Sequence, residues 1–150
     1  MRRIVTGGQT GVDRAALDVA MSLGIPCGGW CPAGRLAEDG VIDPRYPLRE
    51  TPFAEYETRT FLNVRDSDGT LVLTFGIPAG GTAYTIECAT QLGKPCLVID
   101  LDHRDDPAPV LAWIDEHRIT VLNVAGPRAS SVPRAYDAAL RFLLKCLKGE

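Results

Sequence analysis

The chain has 150 residues, 45% of them hydrophobic and 23% charged, which suits one globular domain able to bury roughly 70% of its unfolded surface. A net charge of −3 provides no basic field for non-specific nucleic-acid binding. No apolar run reaches the roughly 20 residues needed to span a bilayer, so neither nucleic acid nor membrane is an expected partner.

The first element is an apolar strand that gives way to glycines: Ile4-Val5-Thr6-Gly7-Gly8-Gln9-Thr10-Gly11-Val12-Asp13-Arg14. A helical pattern follows from Ala15 to Leu23, and Gly24 and Pro26 stop it. Strand, glycine turn and helix together aim backbone N–H groups and the positive end of a helix dipole at one spot. The spacing G-G-x-x-G is neither the dinucleotide fingerprint nor a Walker loop. By itself such a turn is compatible with a purely structural role.

Cys27 to Cys31 reads as a brief second strand ending at Pro32-Ala33-Gly34-Arg35. Residues 33–56 show neither helical nor strand period. Leu36, Val41, Ile42, Tyr46, Leu48 and Phe53 within them favour an ordered covering loop. A helix is expected over Tyr56 to Arg65, with Phe61, Leu62 and Val64 turned to the core. Thr70 to Phe75 reads as a buried parallel strand. The second glycine turn, Gly76 to Thr82, opens a helix running to Leu92 with Thr82 as N-cap. Cys96 to Asp100 is a strand, and a helix places Val110, Leu111, Trp113 and Ile114 inward. Ile119 to Val124 is the fifth strand, running into a third glycine turn, Ala125 to Ser131. The last helix, about Pro133 to Leu147, is amphipathic through Tyr136, Leu140, Leu143, Leu144 and Leu147.

This alternation predicts an α/β fold: residues 1–150 as one Rossmann-like, three-layer domain with a five-stranded, mainly parallel sheet. The glycine turns follow strands one, three and five, so all three leave the carboxyl edge, where ligands bind in such sheets. Two amide cradles are expected, Gly7 to Gly11 and Gly80 to Thr82. Each favours an anion by about 0.3–1 kcal/mol when exposed. Arg128, with Arg59 or Arg35, can add charge-assisted hydrogen bonds, and the alternatives for each are solvation or pairing with Asp13, Asp66 or Asp68.

Asp13 constrains the ligand. A carboxylate about 4 Å from a phosphate costs on the order of 4 kcal/mol at an effective dielectric near 20. It therefore needs a donor, either on the ligand or from Arg14, unless it is only a first-turn helix acid. Nucleotides and phosphorylated pterins carry a phosphate at one end and N–H or O–H donors at the other. His103 and His117 fall away from every glycine turn, which disfavours histidine-driven nucleophilic catalysis. Asp13 and Glu87 leave a carboxylate-based hydrolysis open. The five cysteines contain no C-x-x-C and Cys27 and Cys31 have no nearby histidine, so no metal site is expected. Free thiols and the lack of an apolar leader after Arg2-Arg3 point to a cytoplasmic protein.

Six stretches resemble the molybdenum carrier protein family: Thr6 to Arg14, Gly29 to Arg35, Tyr56 to Thr60, Asn63 to Asp68, Gly80 to Thr82, and Asn123 to Arg128. That family is similar to the LOG/DprA-like Rossmannoid group, whose members share the sheet and bind nucleotides. The resemblance implies binding and protection of molybdenum cofactor, a phosphorylated molybdopterin, without catalysis. It also implies a homo-oligomer (dimer or tetramer) in the cytosol, with molybdoenzymes as recipients. The residues carried over for the ligand are Gly7, Gly8, Thr10, Gly11, Asp13, Arg59, Asp68, Gly80, Gly81, Thr82 and Arg128. LOG-type enzymes cleave the N-glycosidic bond of a nucleoside monophosphate with an arginine, which Arg59 resembles, and the glutamate of P-G-G-x-G-T-x-x-E. Here Thr85 stands in the glutamate's place and Pro78-Ala79 replaces the opening Pro-Gly. Without that carboxylate, binding ranks above the alternatives, a LOG-like 5′-monophosphate phosphoribohydrolase or a nucleotide-binding sensor.

Overall fold

A computed structural model describes residues 1–148. In chain order the elements are β1 (Arg3–Val5), α1 (Val12–Leu23), β2 (Cys27–Gly28), β3 (Trp30–Cys31), β4 (Leu36–Ala37), β5 (Gly40–Val41), β6 (Arg49–Glu50), α2 (Tyr56–Arg65), β7 (Gly69–Thr74), α3 (Gly80–Leu92), β8 (Cys96–Asp100), α4 (Ala108–Glu116), β9 (Val121–Ala125) and α5 (Ala135–Leu147). The five-stranded sheet runs β2-β1-β9-β7-β8, and every pairing in it is parallel. The chain is thus α/β and Rossmann-like, as its alternating pattern predicts.

From β1 the chain crosses outward to β2, and from β7 it crosses the other way to β8. The last strand, β9, enters between them and pairs with both, Ile4 with Leu122 and Gly69 with Leu122. The reversal of strand order therefore falls at the three middle strands, whose exits are the three glycine turns.

The main core joins α1, α4 and α5 to one face of the sheet through Val12, Ala16, Val110, Trp113, Ala139 and Leu143. Val64 of α2 and Cys88 and Ala89 of α3 pack together in a second cluster, against which Cys96 of β8 is seated. Every residue of β7 is buried, as a central strand covered on both faces requires. Gly24 and Gly93 close α1 and α3 in the left-handed region, φ 71° and 65°, with their N–H groups returned to the last helical turn.

Several elements depart from the sequence reading. The expected second strand breaks at Gly29, whose φ of 124° turns the chain; a side chain there would lie 2.3 Å from the Thr6 carbonyl oxygen. Its second half, β3, leaves the sheet and pairs with β6 instead. α1 begins at Val12, three residues before the periodic run, because Gly11 absorbs the turn at φ 80°. Ala79, not Thr82, is the N-cap of α3, so Thr82 lies inside the first turn. Leu111 is 40% exposed and so does not face inward on α4, where Val110 and Trp113 are buried and Ile114 packs partly buried against the core. α5 starts at Ala135, past Pro133.

Residues 33–56 form an ordered strap. Ile42, Tyr46 and Leu48 pack with Leu17, Cys31 and Ala37 in a separate apolar cluster. Val41 and Phe53 face outward instead, 72% and 57% exposed. The Arg35 guanidinium holds the strap together by donating to the carbonyls of Ile42, Asp43, Tyr46 and Leu48 at 2.8–3.3 Å.

Gly126 is where β9 leaves the sheet against β7 and α1. A Cβ there would lie 2.4 Å from the Leu73 carbonyl oxygen and 2.6 Å from Val12 Cγ2. Gly126→Ala is expected to cost about 1–3 kcal/mol. At roughly 2–4 °C per kcal/mol, calorimetry should record a Tm several degrees lower.

Candidate functional site

The exits of β1, β9 and β7 open into one cleft of about 670 Å³. Its walls come from the first turns of α2 and α3 and from the turn after β9. Asp13, Arg59, Gly80, Gly81, Thr82 and Arg128 line it together, although they come from four separate stretches of chain.

The floor is an acid and a base. Asp13 is 3% exposed, and its Oδ2 accepts the Gln9 N–H at 3.2 Å. Arg59 Nη1 stands 3.7 Å from the same oxygen, an ion pair beyond hydrogen-bond distance. Burial raises the Asp13 carboxyl above its ordinary value, and the Arg59 charge only partly offsets this. Arg14 is not the partner of Asp13: it donates to the Gly8 carbonyl and pairs with Asp39 of the strap at 3.1 Å. The Arg59 Nε–H is buried without a hydrogen-bond partner among the described residues. Gly7 accommodates this guanidinium, because a Cβ at that position would come within 2.3 Å of Arg59 Nη1.

The two expected amide cradles differ. In the first, the Thr10 N–H donates to Gln9 Oε1 at 3.0 Å, and the Val12 N–H to the Pro127 carbonyl at 3.3 Å. With Gln9 N–H given to Asp13, three amides of that turn are already spent inside the protein. Its glycines serve close packing. A Cβ on Gly8 would meet Leu48 Cδ1 at 2.5 Å, and one on Gly11 the Pro127 oxygen at 2.4 Å. Gly8 therefore faces the strap and Gly11 faces the third turn. Thr10 Oγ1 accepts the Ala129 N–H at 3.1 Å and donates to Glu38.

The second cradle is open. Among the described residues none caps α3 with a side chain and none lies within 4 Å of a Cβ on Gly80 or Gly81, and both glycines are exposed in the cleft wall. Thr85, where the hydrolase glutamate would stand, donates its hydroxyl to the Gly81 carbonyl at 2.9 Å. Asp100, at the end of β8, accepts the Gly76 N–H at 3.1 Å and the Asp102 N–H at 3.0 Å. Those bonds hold its carboxyl below the ordinary range and anchor the lip that leads to Ala79.

Other expected residues lie elsewhere. Asp68 precedes β7 and so sits at the amino edge of the sheet, where its Oδ2 accepts from Thr120 N–H, Thr120 Oγ1 and Val121 N–H at 2.8–3.0 Å. It ties β7 to β9 far from the cleft. Arg35 is consumed by the strap, and Glu87 is exposed and outside the cleft lining. What the sequence did not single out is the aromatic side of the cleft: Tyr56, Phe75 and Tyr84, with the exposed Ile77 at its lip. Tyr84 follows Gly-Gly-Thr by two residues, and only the helical turn brings it to the wall.

A family model described as the circularly permutated YpsA SLOG family matches residues 4–147. A crystal structure from Syntrophus aciditrophicus SB, named "Putative molybdenum carrier protein", is 49% identical, and the match covers 98% of this chain and 95% of that one with a TM-score of 0.95. No curated protein matches the chain. The resemblance read from the sequence motifs is thereby borne out, and both matches support a ligand-binding role. No helix among the described residues is long and apolar enough to cross a membrane.

Asp13 gives a pH signature. Its folded-state pKa lies above the unfolded value, so the folded protein holds the proton more tightly and this contribution is full below the unfolded pKa. It is lost as pH rises through the folded value. Compared with Asp13→Asn, which keeps an acceptor for Gln9 N–H, the wild type should lose relative stability as pH rises above about 4, the ordinary carboxyl value. Paired Tm measurements across that range check the sign.

Proposed function

The chain belongs to the circularly permutated YpsA SLOG family, and from that premise we propose that its cleft binds a phosphorylated heterocycle, with molybdenum cofactor as the favoured cargo and no chemistry performed on it. The observation that carries this reading is the pairing of an uncapped α3 amino end, with bare Gly80 and Gly81, and an Arg59 Nε–H that has no hydrogen-bond partner among the described residues. Both features leave donors for an anion. The two amides and the dipole suit a phosphate, and the guanidinium adds a charge-assisted bond of about 1.5–3 kcal/mol.

The remaining walls suit the rest of such a ligand. Tyr56, Phe75 and Tyr84 supply aromatic surface for a flat ring. Asp13, on the floor, offers an acceptor to the N–H or O–H donors of a pterin or purine. The name of the 49% identical neighbour adds support for a molybdenum-related cargo. On this reading the protein acts in the cytoplasm as a homo-oligomer and hands its cargo to molybdoenzymes.

Freshly purified protein should carry molybdenum by metal analysis together with pterin fluorescence, in equal amounts. Arg59→Ala should weaken the affinity for the pterin by about 10- to 150-fold, the loss of one charge-assisted bond. Retention of wild-type affinity in that variant would remove the anion site from this floor.

One observation favours a second reading. Asp13 is a buried carboxyl of raised pKa on the cleft floor, the condition of a general acid. A nucleotide phosphoribohydrolase would use it in place of the glutamate that Thr85 has replaced. Incubation with AMP decides the matter: carrier function predicts no free adenine, whereas steady release abolished by Asp13→Asn would establish the hydrolase.

A further inference from the structure

The strap reaches over the first turn and places Glu38 at the junction of that turn with the third. Its carboxylate gathers an unusual set of donors. Ser130 N–H and Oγ donate to it at 3.1 and 2.5 Å, Thr10 Oγ1 donates to Oε2, and Arg128 Nε stands 3.7 Å from Oε1. Two hydroxyls, one main-chain amide and one guanidinium converging on a single anionic group are the donors a phosphoryl group needs. Arg128 and the neighbouring Ser131 also line the cleft, so this point is continuous with it. The strap is tethered here independently of the carboxylate, since the Glu38 N–H donates to Gln9 Oε1 at 2.9 Å.

We infer that Thr10, Ser130 and Arg128 form an anion subsite at the end of the cleft, whose donors the Glu38 carboxylate holds and yields to a phosphoryl group. Two like charges cannot share these donors, so entry of the phosphoryl group turns the Glu38 side chain out. The turn outward needs the side chain alone. Glu38 lies on an exposed stretch with Leu36, Asp39, Gly40 and Val41, while Ala37 and Ile42 keep the strap seated in its apolar cluster and β4 and β5 pair with each other. The shared chemistry is a phosphoryl oxyanion, either the end of a ligand lying in the cleft or free phosphate.

The test uses the full chain with three probes, inorganic phosphate, AMP and adenosine, titrated calorimetrically into wild type and Glu38→Gln. The amide keeps the side-chain shape and removes its charge. Phosphate or AMP should bind the variant about tenfold more tightly or better, with adenosine unchanged, and adding Thr10→Val should abolish the gain. A gain for phosphate with none for AMP assigns the subsite to the free ion; a gain for AMP assigns it to the end of the cleft ligand. No gain for either, or a gain that survives Thr10→Val, overturns the proposal and leaves Glu38 as a strap anchor.

Hydrogen exchange on the wild type is independent of how the variants fold. Saturating phosphate or AMP should speed exchange over residues 36–42, and unchanged or slower exchange overturns the proposal. The AMP arm rests on the cleft's reading as a site for phosphorylated heterocycles. Failure of AMP to bind either protein, with the phosphate gain present, sinks that reading and leaves the subsite standing.

Discussion

The arrangement depends on one topological constraint, the insertion of β9 between β1 and β7. A parallel strand in the middle of a sheet must satisfy both neighbours, and β9 does so through Leu122, which is opposite Ile4 on one side and Gly69 on the other. With β9 there, the turns that leave the three middle strands cannot avoid one another. Gly126 and Gly11 mark how closely they pass, since neither position has room for a methyl group. Asp68 secures the same junction from the opposite edge by accepting two amides and a hydroxyl at the start of β9.

Crowding at that junction divides the labour between the glycine turns. The turn after β1 is pressed between the strap and the turn after β9, so its amides are spent on Asp13, Gln9 and Pro127. Its glycines exist for backbone proximity and for the Arg59 guanidinium that lies on Gly7. The turn after β7 has no such neighbours and keeps its helix amino end open. The first turn thus presents a side chain, Asp13, on the floor of the cleft, while the open main-chain end in its wall is that of α3.

The electrostatics follow the same division. Desolvation raises Asp13 in spite of Arg59, so the ion pair on the floor is not an optimised structural bridge. Glu38 moves the other way: its burial is outweighed by the Ser130 and Thr10 hydroxyls and by Arg128, and its carboxyl is held below the ordinary range. Asp18 of α1 joins two other elements, accepting the hydroxyls of Tyr46 from the strap and Tyr136 from α5.

By itself the sequence determined the class of fold and the chemistry of its turns. Strand and helix periods, the glycine stops at Gly24 and Gly93, and the motifs from Thr6 to Arg14 and Asn123 to Arg128 are local signals, and local backbone preference carries them. Which donors remain free for a ligand was decided by tertiary structure alone. G-G-x-x-G and G-G-T look equally suited to an anion along the chain, yet Ile42 and Leu48 of the strap close the first from 34 and 40 residues beyond Gly8, and Pro127 from 116 beyond Gly11, separations at which local sequence period is silent. Tyr56, Tyr84, Glu38 and Ser130 belong to the same category: their roles depend on which strands are neighbours, and strand order is written in long-range packing, not in any stretch of residues.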